Sequence, residues 1–183
     1  YVADIARCEV LMPGVGERIA DIAALIETLD AKRDIPQIEV AIGDDLAVLV
    51  FRHLQPLSER DRAALVEFGT KWNLGIFLQP GGIDSVVPLW PADAQLLFRL
   101  PKYDVGFEFK PLDFVQVNAG MNRAMIDHAL GLLDPQPTDR VLDLFCGLGN
   151  FTLPLARRAA QVTGVEGEAG LVRRAGENAQ RNG

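Results

Sequence analysis

At 183 residues the chain has room for one large or two small domains, and with 49% hydrophobic residues it can bury a sizeable core. Two widely separated cysteines rule out a disulfide framework and fit a reducing, cytoplasmic setting. No apolar run approaches the roughly 20 residues of a membrane span, and no basic-apolar signal segment opens the chain. A net charge of −7 argues against this segment acting alone as a nucleic-acid-binding body, because such surfaces are usually basic.

In chain order, Ile19, Ile22, Ala23 and Ile26 stand at helical spacing and predict a helix from Val15 to Leu29. Ile38 to Ile42 and Leu46 to Phe51 read as strands around a Gly43-Asp44-Asp45 turn. Ser58 and Asp61 form a capping-box-like start to a helix through about Lys71, with Asp in place of the usual Glu or Gln. Gly75 to Gln79, Val86 to Trp90, Leu96 to Leu100 and Val105 to Phe109 read as further strands, with a Pro80-Gly81-Gly82 turn between the first two. Residues 1–110 are therefore expected to form a small α+β module with a largely antiparallel sheet.

Residues 111–183 read differently. A helix from Asn118 to Leu133 carries Met125, Ala129, Leu132 and Leu133, and Asp134-Pro135-Gln136-Pro137 breaks it. Strand Arg140 to Leu144, helix Asn150 to Arg158, strand Gln161 to Val165 and helix Glu168 to Arg181 follow. This β-α-β-α order is the opening half of a doubly wound α/β sheet. The two histidines, His53 and His128, have no partners at metal spacing and are assigned structural or surface roles.

The junction of the first strand and helix in this half carries the chemistry. Asp143-Leu144-Phe145-Cys146-Gly147-Leu148-Gly149 is an acid at a strand end followed by two glycines. Glycine lets the backbone approach a ligand closely and adopt positive φ. A dinucleotide fingerprint wants a third glycine where Thr152 stands, and no Gly-Lys-Ser/Thr is present to cradle phosphates. Glu166 closes the next apolar run, Val162 to Val165, where a carboxylate can accept from both ribose hydroxyls. The set points to a nucleoside cofactor without phosphate; a structural glycine turn is the alternative. The loop resembles the S-adenosylmethionine motif of methyltransferases.

The flanks sharpen the resemblance. Asp113-Phe114-Val115-Gln116-Val117-Asn118 precedes the loop, Leu144 to Pro154 reads L-F-C-G-L-G-N-F-T-L-P, and Gly164-Val165-Glu166-Gly167 follows. This resembles the RNA uracil-C5 methyltransferase family, most closely its 23S ribosomal RNA branch, over essentially the whole chain. The resemblance implies an α+β central module followed by the first half of a Rossmann-like S-adenosylmethionine-dependent methyltransferase domain. It carries cofactor contacts onto Gln116, Phe145, Gly147, Asn150 and Glu166. Asn150 as a plain helix cap and Gln116 as a turn-stabilising amide are the alternatives.

The resemblance also implies what these residues lack. In the family a cysteine thiolate adds to C6 of the uracil, C5 takes the methyl group, and a base removes the C5 proton. That cysteine follows the fourth strand of the catalytic sheet, in an Asp-Pro-Pro/Ala-Arg context, whereas this sequence stops at Asn182-Gly183. Cys146 is read as a small buried hydrophobe rather than the nucleophile, so no catalytic residue is expected here. Cys8 matches the last of four ligands to an iron–sulfur (4Fe-4S) cluster in the ribosomal RNA branch, its three companions lying upstream of Tyr1. One thiolate cannot hold such a cluster, so Cys8 is expected to be free unless further ligands are supplied. The first and last residues suggest a fragment of a longer protein. RNA affinity is then expected to reside largely outside it; Arg123, Arg157, Arg158, Arg173 and Arg174 are a candidate basic patch, with simply solvated helix faces the more usual reading. Methylation of another substrate such as tRNA, and a non-catalytic binding module, remain alternatives. The strand Val141 to Leu144 would lack its inner-sheet neighbour, which points to self-association around Val141 and Leu144.

Overall fold

Two strands with almost no polar residue form the centre of the first sheet. β2 (Ala47–Arg52) and β3 (Gly75–Gln79) are buried along nearly their whole length and pair in parallel. β1 (Gln37–Ile42) flanks β2 and β4 (Val87–Trp90) flanks β3, both antiparallel, giving the order β1-β2-β3-β4. The antiparallel expectation thus fails at the central pair. There α3 (Glu59–Trp72) crosses over between β2 and β3, and such a crossover returns the chain in the same direction. This computed structural model describes residues 4–183.

The helix expected over residues 15–29 is two helices, α1 (Pro13–Gly16) and α2 (Ile19–Thr28). Between them Glu17 and Arg18 have ψ of −6° and 8°, away from α-helical values, and the end of α1 makes a close approach at Gly16. A Cβ there would lie 2.2 Å from the Cys8 carbonyl oxygen, and the Cys8 N–H donates to the Gly16 carbonyl at 2.9 Å. Ser58 caps α3 by accepting from the Asp61 N–H at 3.1 Å. The Asp61 carboxylate does not reach back as a capping box would. It is 1% exposed and accepts from the backbone N–H groups of Asp30 and Ala31 at 2.8 and 3.1 Å, pinning the turn after α2. Val15, Ile22, Leu49, Phe51, Leu65, Phe68 and Ile76 make the core of this unit.

The second unit holds a two-stranded sheet, β5 (Leu96–Leu100) with β6 (Val105–Phe109), then α4 (Ala119–Leu133), β7 (Arg140–Leu144), α5 (Thr152–Ala156), β8 (Gln161–Val165) and α6 (Ala169–Asn182). The chain divides into compact units at Leu96/Leu97, earlier than the 110/111 boundary read from sequence. The reason is packing: Leu100, Tyr103, Val105 and Phe107 share a core with Ile126, Leu130, Leu153 and Leu155. Strand succession alone had grouped β5 and β6 with the preceding strands.

α6 serves β6 in an unusual way. Asn178 accepts from the Glu108 N–H at 2.9 Å and donates to the Glu108 carbonyl at 3.1 Å. One turn later Asn182 does the same for Gly106, at 2.8 and 2.7 Å. Two side-chain amides thereby satisfy the strand edge that β5 leaves open. β7 and β8 are parallel, with Asp143 opposite Gly164 and Leu144 opposite Val165. Val141 and Val162 pack on the second core, while Leu142, Leu144 and Val165, on the other face, are 60%, 58% and 47% exposed. The uncovered face therefore centres on Leu142 and Leu144; Val141, expected to share it with Leu144, lies on the covered side.

Candidate cofactor site at the end of strand β7

The chain leaves β7 through a loop that only unusual backbone angles can make. Phe145 has φ 62°, Gly147 55° and Gly149 96°. Glycine adopts these values without a Cβ penalty, whereas Phe145 does so at a cost of about 1–2 kcal/mol. Phe145 is also 88% exposed, so packing does not compensate for that strain. A strained, solvent-facing aromatic at a strand end is a mark of a functional loop.

Glu166, at the end of β8, closes the loop. Its Oε2 accepts from the Gly147 N–H at 3.0 Å, and its Oε1 accepts from Gly167 and Glu168 N–H groups at 2.6 and 3.1 Å. These donors, Glu168 first and then Gly147 and Gly167, hold its carboxyl below the usual carboxylate range. Glu166 is thus an ionised acceptor fixed by three backbone N–H groups, with lone-pair capacity left over. The next residue pair repeats the device: Glu168 caps α6 by accepting from Gly170 and Leu171, and its pKa is also lowered.

Asp143 accepts from the Thr152 hydroxyl at 2.6 Å. Thr152, standing where a dinucleotide loop has glycine, therefore ties the start of α5 to the end of β7. Cys146 is 9% exposed and packs against Gly164, where an added Cβ would lie 2.8 Å from its Sγ. Burial, then the charges of Asp143 and Glu166, push its thiol pKa up. A thiol so placed is poorly ionised and is a packing group.

Asn150 is not a helix cap. The N-cap of α5 is Phe151, which makes no side-chain cap, and the Asn150 amide instead pairs with Asn122 of α4. Gln116 lies exposed on the segment between β6 and α4 and makes no hydrogen bond among the described residues. That segment is anchored at Asp113, which accepts from the Lys110 N–H at 2.8 Å and forms an ion pair with Arg174 of α6; these side chains are 7% and 13% exposed. Asn118 caps α4 through the Met121 N–H at 2.9 Å. The structure thus joins Gly147 to Glu166 directly and sets Phe145 and Asn150 on the same loop. Gln116 stands on a separately anchored segment.

Two features escaped the sequence reading. Asn122 lies on the buried stripe Asn122, Ile126, Leu130, and a polar residue in an apolar i, i+4, i+8 row is the signal that could have found it. The arginines read as a basic patch are largely engaged within the chain. Arg157 donates to the carbonyls of Tyr103, Asp104 and Asn182; Arg174 pairs with Asp113; Arg173 pairs with Glu177. Arg123 lies 4.7 Å over the Phe98 ring and donates to the Arg99 carbonyl. At the other end of the chain Cys8 is half-buried, and no group of three or more His, Cys, Asp or Glu that could hold a metal exists among the described residues.

Residues 98–183 match the family model described as tRNA (Uracil-5-)-methyltransferase. The whole chain is 64% identical to a 23S rRNA (uracil(1939)-C(5))-methyltransferase RlmD of Xanthomonas campestris pv. campestris, and 58% identical to that of Xylella fastidiosa. In both matches the chain spans 41% of the relative's length. Among solved structures, the Pyrococcus abyssi tRNA (uracil-54, C5)-methyltransferase in complex with S-adenosyl-L-homocysteine matches 100% of this chain and 47% of its own, with a TM-score of 0.69 at 18% identity. The M. jannaschii tRNA m1G37 methyltransferase matches 90% of this chain and 47% of its own, with a TM-score of 0.51 at 13% identity. The α/β fold with a methyltransferase-like second unit is thereby shared with these solved structures, and over its whole length the chain is similar to the 23S rRNA (uracil-C5)-methyltransferases.

Proposed function

We propose that these residues work within a longer protein that methylates C5 of a uridine in 23S ribosomal RNA, using S-adenosylmethionine, in the cytoplasm. The observation that carries the cofactor reading is the strand end itself: an ionised Glu166 at the β8 end, bonded to the Gly147 N–H, with Phe145 exposed beside it. When bound, the cofactor supplies an electrophilic methyl group. Glu166 accepts from the ribose hydroxyls, Phe145 offers an apolar surface, Gly147 keeps the loop clear of a Cβ, and Asn150 and Gln116 offer amides. Ribosomal RNA is favoured over tRNA because whole-chain identity to the 23S enzymes is 57–64%, against 18% for the tRNA enzyme of similar fold.

Nucleophilic attack on C6 of the uracil requires a thiolate. Cys146, buried and with its pKa raised, does not supply one, so we assign that step to residues outside the 183. A 4Fe-4S cluster is likewise beyond this segment alone, since it needs four thiolates. In the longer protein Cys8 is proposed as one ligand, with the remaining thiolates supplied from outside these residues. The test is transfer of labelled methyl from S-adenosylmethionine to unmodified 23S ribosomal RNA. The full-length protein is expected to incorporate label and the 183 residues alone to incorporate none. Incorporation by the 183 residues that vanishes in Cys146→Ala would overturn the assignment of Cys146.

A further inference from the structure

We propose that Asn122, a residue of α4, is a positioning residue for the cofactor loop, acting through Asn150. Its Nδ2 donates to Asn150 Oδ1 at 3.0 Å, and Asn150 Nδ2 donates back to Asn122 Oδ1 at 2.9 Å. Asn122 is 4% exposed, so its amide has little water to turn to. The pair is reciprocal, and neither amide can flip alone without setting oxygen against oxygen and nitrogen against nitrogen. Each partner therefore dictates the orientation of the other.

The consequence falls on Asn150. A side-chain amide carries two N–H donors and two acceptor lone pairs. Pairing with Asn122 consumes one of each and fixes the direction of the remaining N–H and lone pair. Asn150 thereby faces a ligand with a preset donor and acceptor rather than a rotor that must be ordered on binding. Its neighbours do not do this job, since Phe151 makes no side-chain cap and Thr152 is engaged by Asp143. Asn122 also roots the loop in a helix whose inner face, Ile126 and Leu130, is fully buried in the second core. Loop geometry is thus referred to α4 as well as to β8, where Glu166 holds Gly147.

The inference rests on the cofactor reading above, and a double-mutant cycle separates the two. S-adenosylhomocysteine is titrated by calorimetry into the full-length protein, wild type, Asn122→Leu, Asn150→Ala and the double variant. Asn122→Leu keeps the branched shape and removes the amide. It is expected to weaken binding about threefold to tenfold, the span of one neutral hydrogen bond. Because Asn122 acts through Asn150, the double variant is expected to bind no worse than Asn150→Ala. A second readout is the Asn150 side-chain amide pair in 15N NMR of the 183-residue chain without ligand. Its two proton shifts are expected to be well separated in wild type and to collapse toward free-amide values in Asn122→Leu and in Asn122→Ala. If wild type fails to bind S-adenosylhomocysteine, the cofactor reading falls. If wild type binds and the losses from Asn122 and Asn150 add, or the Asn150 amide signals do not move, the positioning role falls while the cofactor reading stands.

Discussion

Phe145 concentrates the conflict between stability and function in one residue. Its left-handed φ of 62° costs energy, and its 88% exposure recovers none through packing. Phe145→Gly is therefore expected to leave thermal stability unchanged or raise it by up to about 1 kcal/mol, since relief of strain outweighs the extra unfolded-chain entropy of glycine. The same change should weaken S-adenosylhomocysteine binding; a clear loss of stability, or undiminished affinity, would count against the role of this side chain. Glu166 sets a pH dependence. Its folded-state pKa is depressed by three backbone donors, so its contribution to loop closure is complete above the ordinary glutamate range and is lost as pH falls through the lower folded value. The midpoint of its carboxyl 13C shift is expected to lie below that of an ordinary glutamate, and a midpoint at or above that range would refute the bonding pattern. Alkylation gives a third check. Cys8 is half-buried and Cys146 is buried with a raised pKa, so iodoacetamide on the native chain should label Cys8 and spare Cys146.

At the scale of elements, the joints matter more than the helices and strands. The ladder of Asn178 and Asn182 against β6 is the sharpest case, because helix side chains replace a strand partner. Asn178 is 1% exposed, and Asn178→Leu would leave the Glu108 N–H and carbonyl without partners. A cost of about 2–3 kcal/mol is expected in urea unfolding, in line with unsatisfied buried backbone groups. A change under about 0.5 kcal/mol, the size of an ordinary surface substitution, would show that water replaces the amide. Asp61 plays the matching part in the first unit, holding the N–H groups of Asp30 and Ala31 across the chain.

At the scale of the molecule, the β7–β8 sheet leaves one of its faces open. Parallel strands are usually covered on both faces. Here Leu142, Leu144 and Val165 stay exposed on one side while Val141 and Val162 are covered on the other. In the relatives, which are longer, further chain is available to cover such a face, since this segment spans 41% of them. The 183 residues alone are expected to self-associate through it, and Leu144→Glu should shift the sedimentation profile toward monomer. A monodisperse wild-type monomer, with slow amide exchange across residues 140–166, would refute this.

Much of the second unit was legible from residues alone. Strand Arg140–Leu144, the two-glycine turn and strand Gln161–Val165 follow from apolar runs bounded by glycine and acid, because those patterns act locally. The candidate site was legible as a set of residue types, Glu166 and the glycines above all. Which groups answer which was not. The Asn122–Asn150 pair spans 28 positions, and Asp61 reaches Asp30 across 31, and no local pattern encodes such partners. The close approach of Gly16 to the Cys8 carbonyl is likewise a contact that no local pattern encodes. The unit boundary depends on Phe107 finding Ile126 and Leu130 rather than the strands before it. Sequence determined the elements and the chemistry they carry, because backbone preference and side-chain type are properties of short segments. Tertiary structure decided the partners, because burial and hydrogen-bond satisfaction are settled only when distant segments meet.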